Sequence, residues 1–252
     1  MTSPEEPLSV AVLGALELRD HTDRAIPLAG RRVRRLVAAL VVHRGQVVRS
    51  ETLAETVFAD RPPHHPVAAL HSLAARLRRS VGAALTSTTG GYALRVDNDA
   101  AAFEALLARA DRASAHEAAE LLGQASTLWR GPAYAEFLDL PACAAEARRL
   151  DLRRVDAVER RAEALLQVRR APDAVAELEA VLREHPFRER AHAAFMRALY
   201  AVGCHHDALR HYTAYHRFLA TELGLEPAPA LRRLHHEILR HDLDRAGVAI
   251  AG

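Results

Sequence analysis

The spacing of apolar residues changes along the first third of the chain, and each change predicts a different element. Residues 8–28 alternate weakly between apolar and polar and are interrupted by turn residues, which is typical of short strands. A helical period follows and ends near Gly45. The predicted buried face of this first helix consists of Val33, Leu36, Val37, Leu40 and Val41.

Two further helices and a hairpin complete this region. A short helix is predicted over 50–58, and the proline-rich loop 61–66 must follow it because proline blocks helix interiors. Pro66 can open a third helix as a first-turn residue, and Gly82 closes it. Residues 85–96 alternate around a Gly-Gly turn, as in a hairpin. The buried face predicted for the third helix is Leu70, Leu73, Ala74, Leu77 and Val81.

This order of elements describes a winged helix-turn-helix with an antiparallel sheet and a wing, which we expect over residues 1–97. An all-α domain is expected over 98–245, followed by a tail of residues 246–252. The predicted fold class is therefore mainly α with a small β component. The helices predicted for the second domain are 100–112, 115–129, 141–169, 173–184, 188–202, 205–222 and 228–241.

A 34-residue repeat indicates that the second domain is similar to tetratricopeptide (TPR) repeats. A shift of 34 positions places Ala174 on Ala208 and Leu165 on Leu199. Small residues at the alanine positions would let paired helices pack closely. Arg169 departs from this pattern, because the equivalent Gly203 predicts a glycine there. An ordinary helical bundle is the alternative.

Charge and composition narrow the function. Residues 1–96 contain 13 arginines against 8 acidic residues, whereas residues 97–252 contain 21 against 24, so an anionic partner suits the first domain. No apolar run is long enough to span a membrane, and the first ten residues lack the basic cluster of a leader peptide. Cys143 and Cys204 match no metal or redox spacing. We therefore expect a cytoplasmic protein without a cofactor.

Several segments, in their order and spacing, resemble the Streptomyces antibiotic regulatory proteins, which join an OmpR-type winged helix to a bacterial transcriptional activation domain. In the second domain these are Leu128–Pro132, Glu184–Glu189, Ala198–Tyr200 and Glu222–Pro227. In the first domain they are Val12–Leu18, Arg31–Leu40, Arg61–Pro63, Ala75–Arg79 and Gly90–Tyr92.

The resemblance implies a DNA-binding activator of a secondary-metabolite (antibiotic) gene cluster, located in the cytoplasm with the nucleoid. Such proteins bind direct repeats in promoter DNA as homodimers or paired protomers and recruit RNA polymerase. The loop Asp60–His65 corresponds to the polymerase-contacting segment of OmpR-type regulators, with Arg61, Pro62 and Pro63 as its candidate residues. A plain connector fits these residues equally well.

Helical geometry assigns the DNA-facing side of the third helix. With Leu70 at the centre of the buried face, Arg76 and Arg79 point outward as candidates for base or phosphate contacts. Ser72, His71 and Arg78 are weaker candidates, and the outward Ala68 and Ala75 offer only apolar contact. Elsewhere, the residues predicted to contact phosphates are Thr88 and Thr89 of the wing and, from the resemblance, Arg32 and Arg34 of the first helix.

Three alternatives to a DNA-binding activator remain. An amphipathic helix can carry arginines that are merely solvated, so the winged helix could have lost DNA binding, leaving a TPR-like protein-interaction module. Fifteen histidines suggest a metal site, but no pair has the i, i+4 spacing of a helical zinc site. A hydrolase or transferase has only the histidine count behind it, because no phosphate-binding loop, dinucleotide loop or nucleophile elbow is present. We expect neither a metal nor an enzyme.

Overall fold

The computed structural model describes residues 8–241; the expected tail 246–252 therefore lies outside the described residues. The chain divides into two compact units. The winged-helix unit comprises the residues up to Ala105 together with Thr127–Arg153, and the helical-repeat unit comprises Leu106–Ser126 and the residues from Arg154 onward. Within residues 8–241, no helix combines the length and apolar character needed to cross a membrane.

Short strands and three helices form the first part of the winged-helix unit, as the periodicity predicts. The elements are β1 (Ser9–Ala11), β2 (Glu17–Arg19), β3 (Ala25–Ile26), α1 (Arg31–Val41), β4 (Val48–Arg49), α2 (Ser50–Val57), α3 (Pro66–Val81), β5 (Leu85–Thr88), β6 (Gly91–Leu94) and β7 (Asp97–Asn98).

Helices make up the remainder of the described chain. They are α4 (Asp99–Ala110), α5 (Ala115–Thr127), α6 (Pro141–Gln167), α7 (Ala171–Glu184), α8 (Glu189–Ala201), α9 (His205–Leu223) and α10 (Pro229–Leu239). Single 3-10 turns lie at Gly82–Ala84 and Ala135–Phe137. The prediction of a mainly α fold with a small β component is confirmed.

The strands form two small sheets. One has the order β3-β2-β1-β7, in which β7 runs parallel to β1, and the other has the antiparallel order β4-β6-β5. The two-residue strands β4 and β7 were not predicted from the sequence. Elements this short carry no alternation of their own, and their partners alone define them.

An apolar core holds the three helices of the winged-helix unit together. Helix α1 packs against α2, α3 and β6, and every residue from Leu36 to Val41 is buried. The predicted inward residues of α3 are buried too, with Leu70 and Leu77 fully inaccessible. Burial of one face fixes the rotation of α3 about its own axis and determines which side chains reach solvent.

Residues beyond position 97 complete this unit. The carboxylate of Asp99 accepts hydrogen bonds from the backbone N–H groups of Val12 and Leu13, at 2.7 and 3.0 Å. The backbone N–H groups of Arg130 and Tyr134 donate to the carbonyls of Leu13 and Val12, both at 2.8 Å. The compact unit thus extends beyond the sequence-based boundary at 97/98 and includes Thr127–Arg153.

The helical-repeat unit shows the predicted 34-residue repeat. Helices α7 and α9 begin at Ala171 and His205, which lie 34 positions apart, and α8 packs against both. The paired alanines Ala174 and Ala208 are completely buried. Because small side chains at matching positions allow close helix packing, the prediction of a TPR-like domain is confirmed.

The core of this unit also contains charged and titratable groups. Glu159 is completely buried and accepts two hydrogen bonds from the guanidinium of Arg188, at 3.2 and 3.0 Å. A ring nitrogen of His192 lies 2.8 Å from one of His211. Burial, together with the neighbouring imidazole, lowers the pKa of His211 to about 4, and burial also lowers the pKa of His192. This pair is therefore neutral at pH 7.

Candidate nucleic-acid interface

Helix α3 has one buried and one exposed face. The buried face carries Leu70, Leu73, Ala74, Leu77 and Val81, as the helical period predicts. The side chains expected to point outward are exposed, namely Ala68, Ser72, Ala75, Arg76 and Arg79, and so are His71 and Arg78, which helical geometry places on the flank. Every α3 residue that we predicted to contact DNA is therefore accessible to a partner.

The exposed face of α3 is electropositive. Helix α3 has no acidic residue, and within residues 8–241 none of Arg76, Arg78 and Arg79 forms an ion pair. Arg78 and Arg79 lie in the last turn of the helix, where a positive charge is favoured by the helix dipole. Arg76 and Arg79, three residues apart, lie on neighbouring parts of the exposed face, and Arg78 lies at its flank, so the exposed surface favours an anionic ligand.

The four arginines at the start of α1 have different environments. Arg35 is buried and donates hydrogen bonds to the carboxylate of Asp139 and the carbonyl of Thr56. Arg34 pairs with Glu136 and donates to the carbonyl of Leu16 at 2.9 Å. Both guanidinium groups are therefore ion-paired and hydrogen-bonded within the winged-helix unit.

Arg31 and Arg32 remain exposed. Arg31 lies 3.9 Å from Asp60, and this ion pair is open to solvent. The guanidinium of Arg32 lies 5.2 Å from the centre of the Phe58 ring and donates to the carbonyl of Arg61 at 3.4 Å. Of the two α1 residues predicted to contact phosphate, the structure leaves Arg32 available and pairs Arg34 with Glu136.

Strands β5 and β6 form the hairpin expected as a wing. Thr88 and Thr89 are exposed at its tip, where the Thr88 hydroxyl lies 3.5 Å from the carbonyl oxygen of Gly91. His71 of α3 makes an edge contact with Tyr92 of β6, with ring centroids 6.2 Å apart. The hairpin therefore packs beside the exposed face of α3.

Gly91 is required by the close approach of β6 to β4. A Cβ atom at Gly91 would lie 2.0 Å from the carbonyl oxygen of Val48, whereas one at Gly90 would meet nothing within 4 Å. We expect Gly91→Ala to destabilise the winged-helix unit by about 2–3 kcal/mol, because backbone must shift to relieve the clash. Urea denaturation measures this, with Gly90→Ala as the matched control. Equal stability of the two variants would contradict the prediction.

The candidate polymerase-contact loop follows α2. Arg61 and Pro62 are exposed and Pro63 is half-buried. The backbone N–H of Arg61 donates to the carbonyl of Phe58 at 3.0 Å, and the Arg61 carbonyl accepts from Arg32. The loop therefore presents accessible side chains next to the start of α1.

The residues that decide which arginines of α1 are available to a partner could not be predicted from the sequence. Glu136 and Asp139 bind two of the α1 arginines from positions more than a hundred residues away, and Phe58 supports a third. The four arginines in Arg31–Arg35 are a local signal, but their partners have no signature in the sequence. Among the described residues there is also no cluster of three or more histidine, cysteine or acidic residues that could hold a metal ion.

Known proteins share this architecture along most of the chain. Residues 98–239 match the family model of the bacterial transcriptional activator domain. The regulatory protein DnrI of Streptomyces peucetius is 30% identical over 261 residues, covering 95% of this chain and 96% of DnrI. The regulatory protein AfsR of Streptomyces griseus is 34% identical over 221 residues, covering 84% of this chain but only 23% of AfsR.

A solved structure has the same fold. The chain superposes on Mycobacterium tuberculosis EmbR, solved in complex with a low-affinity phosphopeptide, with a TM-score of 0.87 and 28% sequence identity. The match covers 97% of this chain and 70% of the EmbR chain. The chain therefore belongs to the Streptomyces antibiotic regulatory protein family of transcriptional regulators, and it carries the bacterial transcriptional activator domain of that family.

Proposed function

We propose that the protein is a sequence-specific DNA-binding activator that acts at promoters. Helix α3 enters the major groove, and the β5–β6 hairpin contacts the adjacent backbone. The observation that supports this most directly is the exposed face of α3, with three arginines and no acidic residue on a helix whose leucines are buried. Arginine on such a helix can donate two hydrogen bonds to guanine or bind phosphate.

The composition of the α3 face points to a mixed mode of recognition. Ala68 and Ala75 are exposed and can contact a thymine methyl group, while the guanidinium groups farther along the helix provide polar contacts. The hydroxyls of Thr88 and Thr89 at the hairpin tip can donate to phosphate oxygens. This arrangement suits a duplex in which only a few base pairs are read directly.

The helical-repeat unit and the loop after α2 supply the proposed protein contacts. We propose that the repeat unit pairs protomers on direct repeats and that Arg61 and its neighbouring prolines contact RNA polymerase. Proline restricts the free loop, which lowers the entropy lost on binding. The relatives DnrI and AfsR are named as regulatory proteins. By analogy with the family, we propose that this protein lies in the bacterial cytoplasm and controls an antibiotic gene cluster.

Gel-shift titration with the upstream region of the neighbouring genes tests DNA binding. We expect the unmutated protein to retard that fragment in preference to a scrambled duplex. Replacing Arg76 and Arg79 together with alanine is expected to abolish specific retardation, since an arginine that contacts guanine is worth about 1–3 kcal/mol of discrimination and one that contacts phosphate holds the helix in the groove. Arg233→Ala, at an exposed position of α10, is the matched control. Circular dichroism should show that all variants keep the fold.

A protein-interaction module is the second candidate, and two observations favour it. The middle of the α3 face is occupied by small side chains, and the helical-repeat unit has the paired helices typical of peptide-binding repeats. If the unmutated protein retards no duplex even at low salt, DNA binding fails and this second function is favoured. Retardation that survives in the double variant would remove α3 from the proposed interface.

A further inference from the structure

A groove of about 450 Å³ lies between the start of α1 and the outer side of α3. Arg32 lines it from α1, and Ser72 and Arg76 line it from α3. Phe58 and Leu73 form apolar parts of its wall. Among the described residues that line this groove, none is acidic, so its two helices present positive charge to the same space. Arg79 is not part of the lining.

The guanidinium of Arg32 is held in place without being neutralised. It lies over the ring of Phe58 and donates to the carbonyl of Arg61, and neither contact contributes a full negative charge. Arg76 forms no ion pair within residues 8–241. Two like charges that line one groove repel each other in the free protein, and an anion between them would add two attractions, at shorter distances, that outweigh this repulsion.

The position of the groove indicates which anion of the duplex it receives. Base edges lie at the floor of the major groove, whereas phosphates line its rims. Arg76 lies on the flank of α3 that lines the groove beside α1 and is therefore placed for the rim. Arg79 lies nine residues after the buried Leu70, on the opposite side of the helix, and points away from the protein toward the floor. Phosphate accepts donors from several directions and is well suited to two guanidinium groups.

We propose that this groove binds one phosphate of the DNA backbone and that Arg32 and Arg76 hold it jointly. The proposal rests on the DNA-binding function given above. Under this proposal the two arginines of α3 have different roles. Arg76 fixes the register of the protein on the duplex by binding phosphate, and Arg79 reads bases. The Ser72 hydroxyl, which is bonded to the Ala68 carbonyl at 3.3 Å, borders the same groove.

The salt dependence of binding distinguishes the two roles. Dissociation constants of the full chain for its preferred duplex and for a scrambled duplex are measured over a series of NaCl concentrations. Arg32→Ala and Arg76→Ala are each expected to weaken binding to both duplexes by a similar factor and to lower the salt slope by about one. The double variant is expected to lose little more than either single variant, because both remove the same contact. Arg79→Ala should instead reduce the preference for the specific duplex.

Several results would overturn this assignment without touching the proposed function. If Arg76→Ala removes discrimination at one base pair and leaves the salt slope unchanged, Arg76 reads a base. If the losses from the two single variants add in the double variant, the two arginines bind separate phosphates. Failure of the unmutated chain to bind either duplex would instead reject the DNA-binding function itself.

Discussion

Replacing Arg188 by alanine is expected to destabilise the helical-repeat unit by about 3–4 kcal/mol, because it leaves a buried carboxylate without its main partner. Glu159 is completely buried, and within residues 8–241 both hydrogen bonds that its carboxylate accepts come from Arg188. Arg190 approaches the same carboxylate only to 3.8 Å and is half exposed. Urea denaturation followed by circular dichroism measures the loss, and hydrogen exchange can assign it to α6 and α8.

Two further variants test the cause of that loss. Arg197→Ala, at an exposed position of helix α8, which begins one residue after Arg188, should change the free energy of unfolding by less than about 0.5 kcal/mol. Adding Glu159→Gln to the Arg188→Ala background should recover part of the stability, because a neutral amide is less costly to bury than a carboxylate. An Arg188→Ala variant as stable as the unmutated protein would show that Glu159 finds another partner or takes up a proton.

Asp139→Ala is expected to destabilise the winged-helix unit by about 3 kcal/mol. Arg35 is buried, and its guanidinium depends on the Asp139 carboxylate and the Thr56 carbonyl. Removing the carboxylate leaves the buried guanidinium of Arg35 without a counter-charge, and an unpaired buried charge strongly lowers the free energy of unfolding. Hydrogen exchange of residues 31–41 and urea denaturation would detect the loss.

Asp60→Ala is the matched control for this experiment. Its carboxylate lies 3.6 Å from Arg35 but is mostly exposed, so its removal should cost less than about 1 kcal/mol. Combining Asp139→Ala with Arg35→Met should restore much of the stability, since an apolar side chain of similar length needs no counter-charge. If Asp60→Ala proves as damaging as Asp139→Ala, the buried arginine depends on both acids equally.

The contact between Arg35 and Asp139 also determines which fragments of the chain keep the winged-helix unit intact. A fragment that ends at residue 97 lacks Asp139, which binds the buried arginine, and Asp99, which accepts from the backbone of Val12 and Leu13. The family model begins at residue 98, yet the compact winged-helix unit includes Thr127–Arg153. Studies of DNA binding should therefore use the full chain.

Local physics explains what could be predicted from the sequence. The faces of α3 follow from a helical repeat of 3.6 residues, so the spacing of Leu70 and Leu77 was enough to place Arg76 and Arg79 in solvent. The 34-residue repeat was visible because each helix pair needs the same small residues at the same positions. At one position of the repeat the backbone conformation is the same although the residue differs: Arg169 and Gly203 both have a positive φ, of 61° and 83°. The repeat thus imposes its geometry on a residue that disfavours it.

Charge pairing over long distances explains the rest. In the sequence, the arginines of Arg31–Arg35 form one basic cluster at the start of a helix, and nothing local distinguishes its members. Only folding brings Glu136 and Asp139 against Arg34 and Arg35 while leaving Arg32 on the ring of Phe58. The sequence by itself determined the helices, their buried faces and the repeat, because these depend on neighbours within a few turns. The tertiary structure decided which charges remain available to a partner, because a charge is neutralised by whatever the fold places beside it.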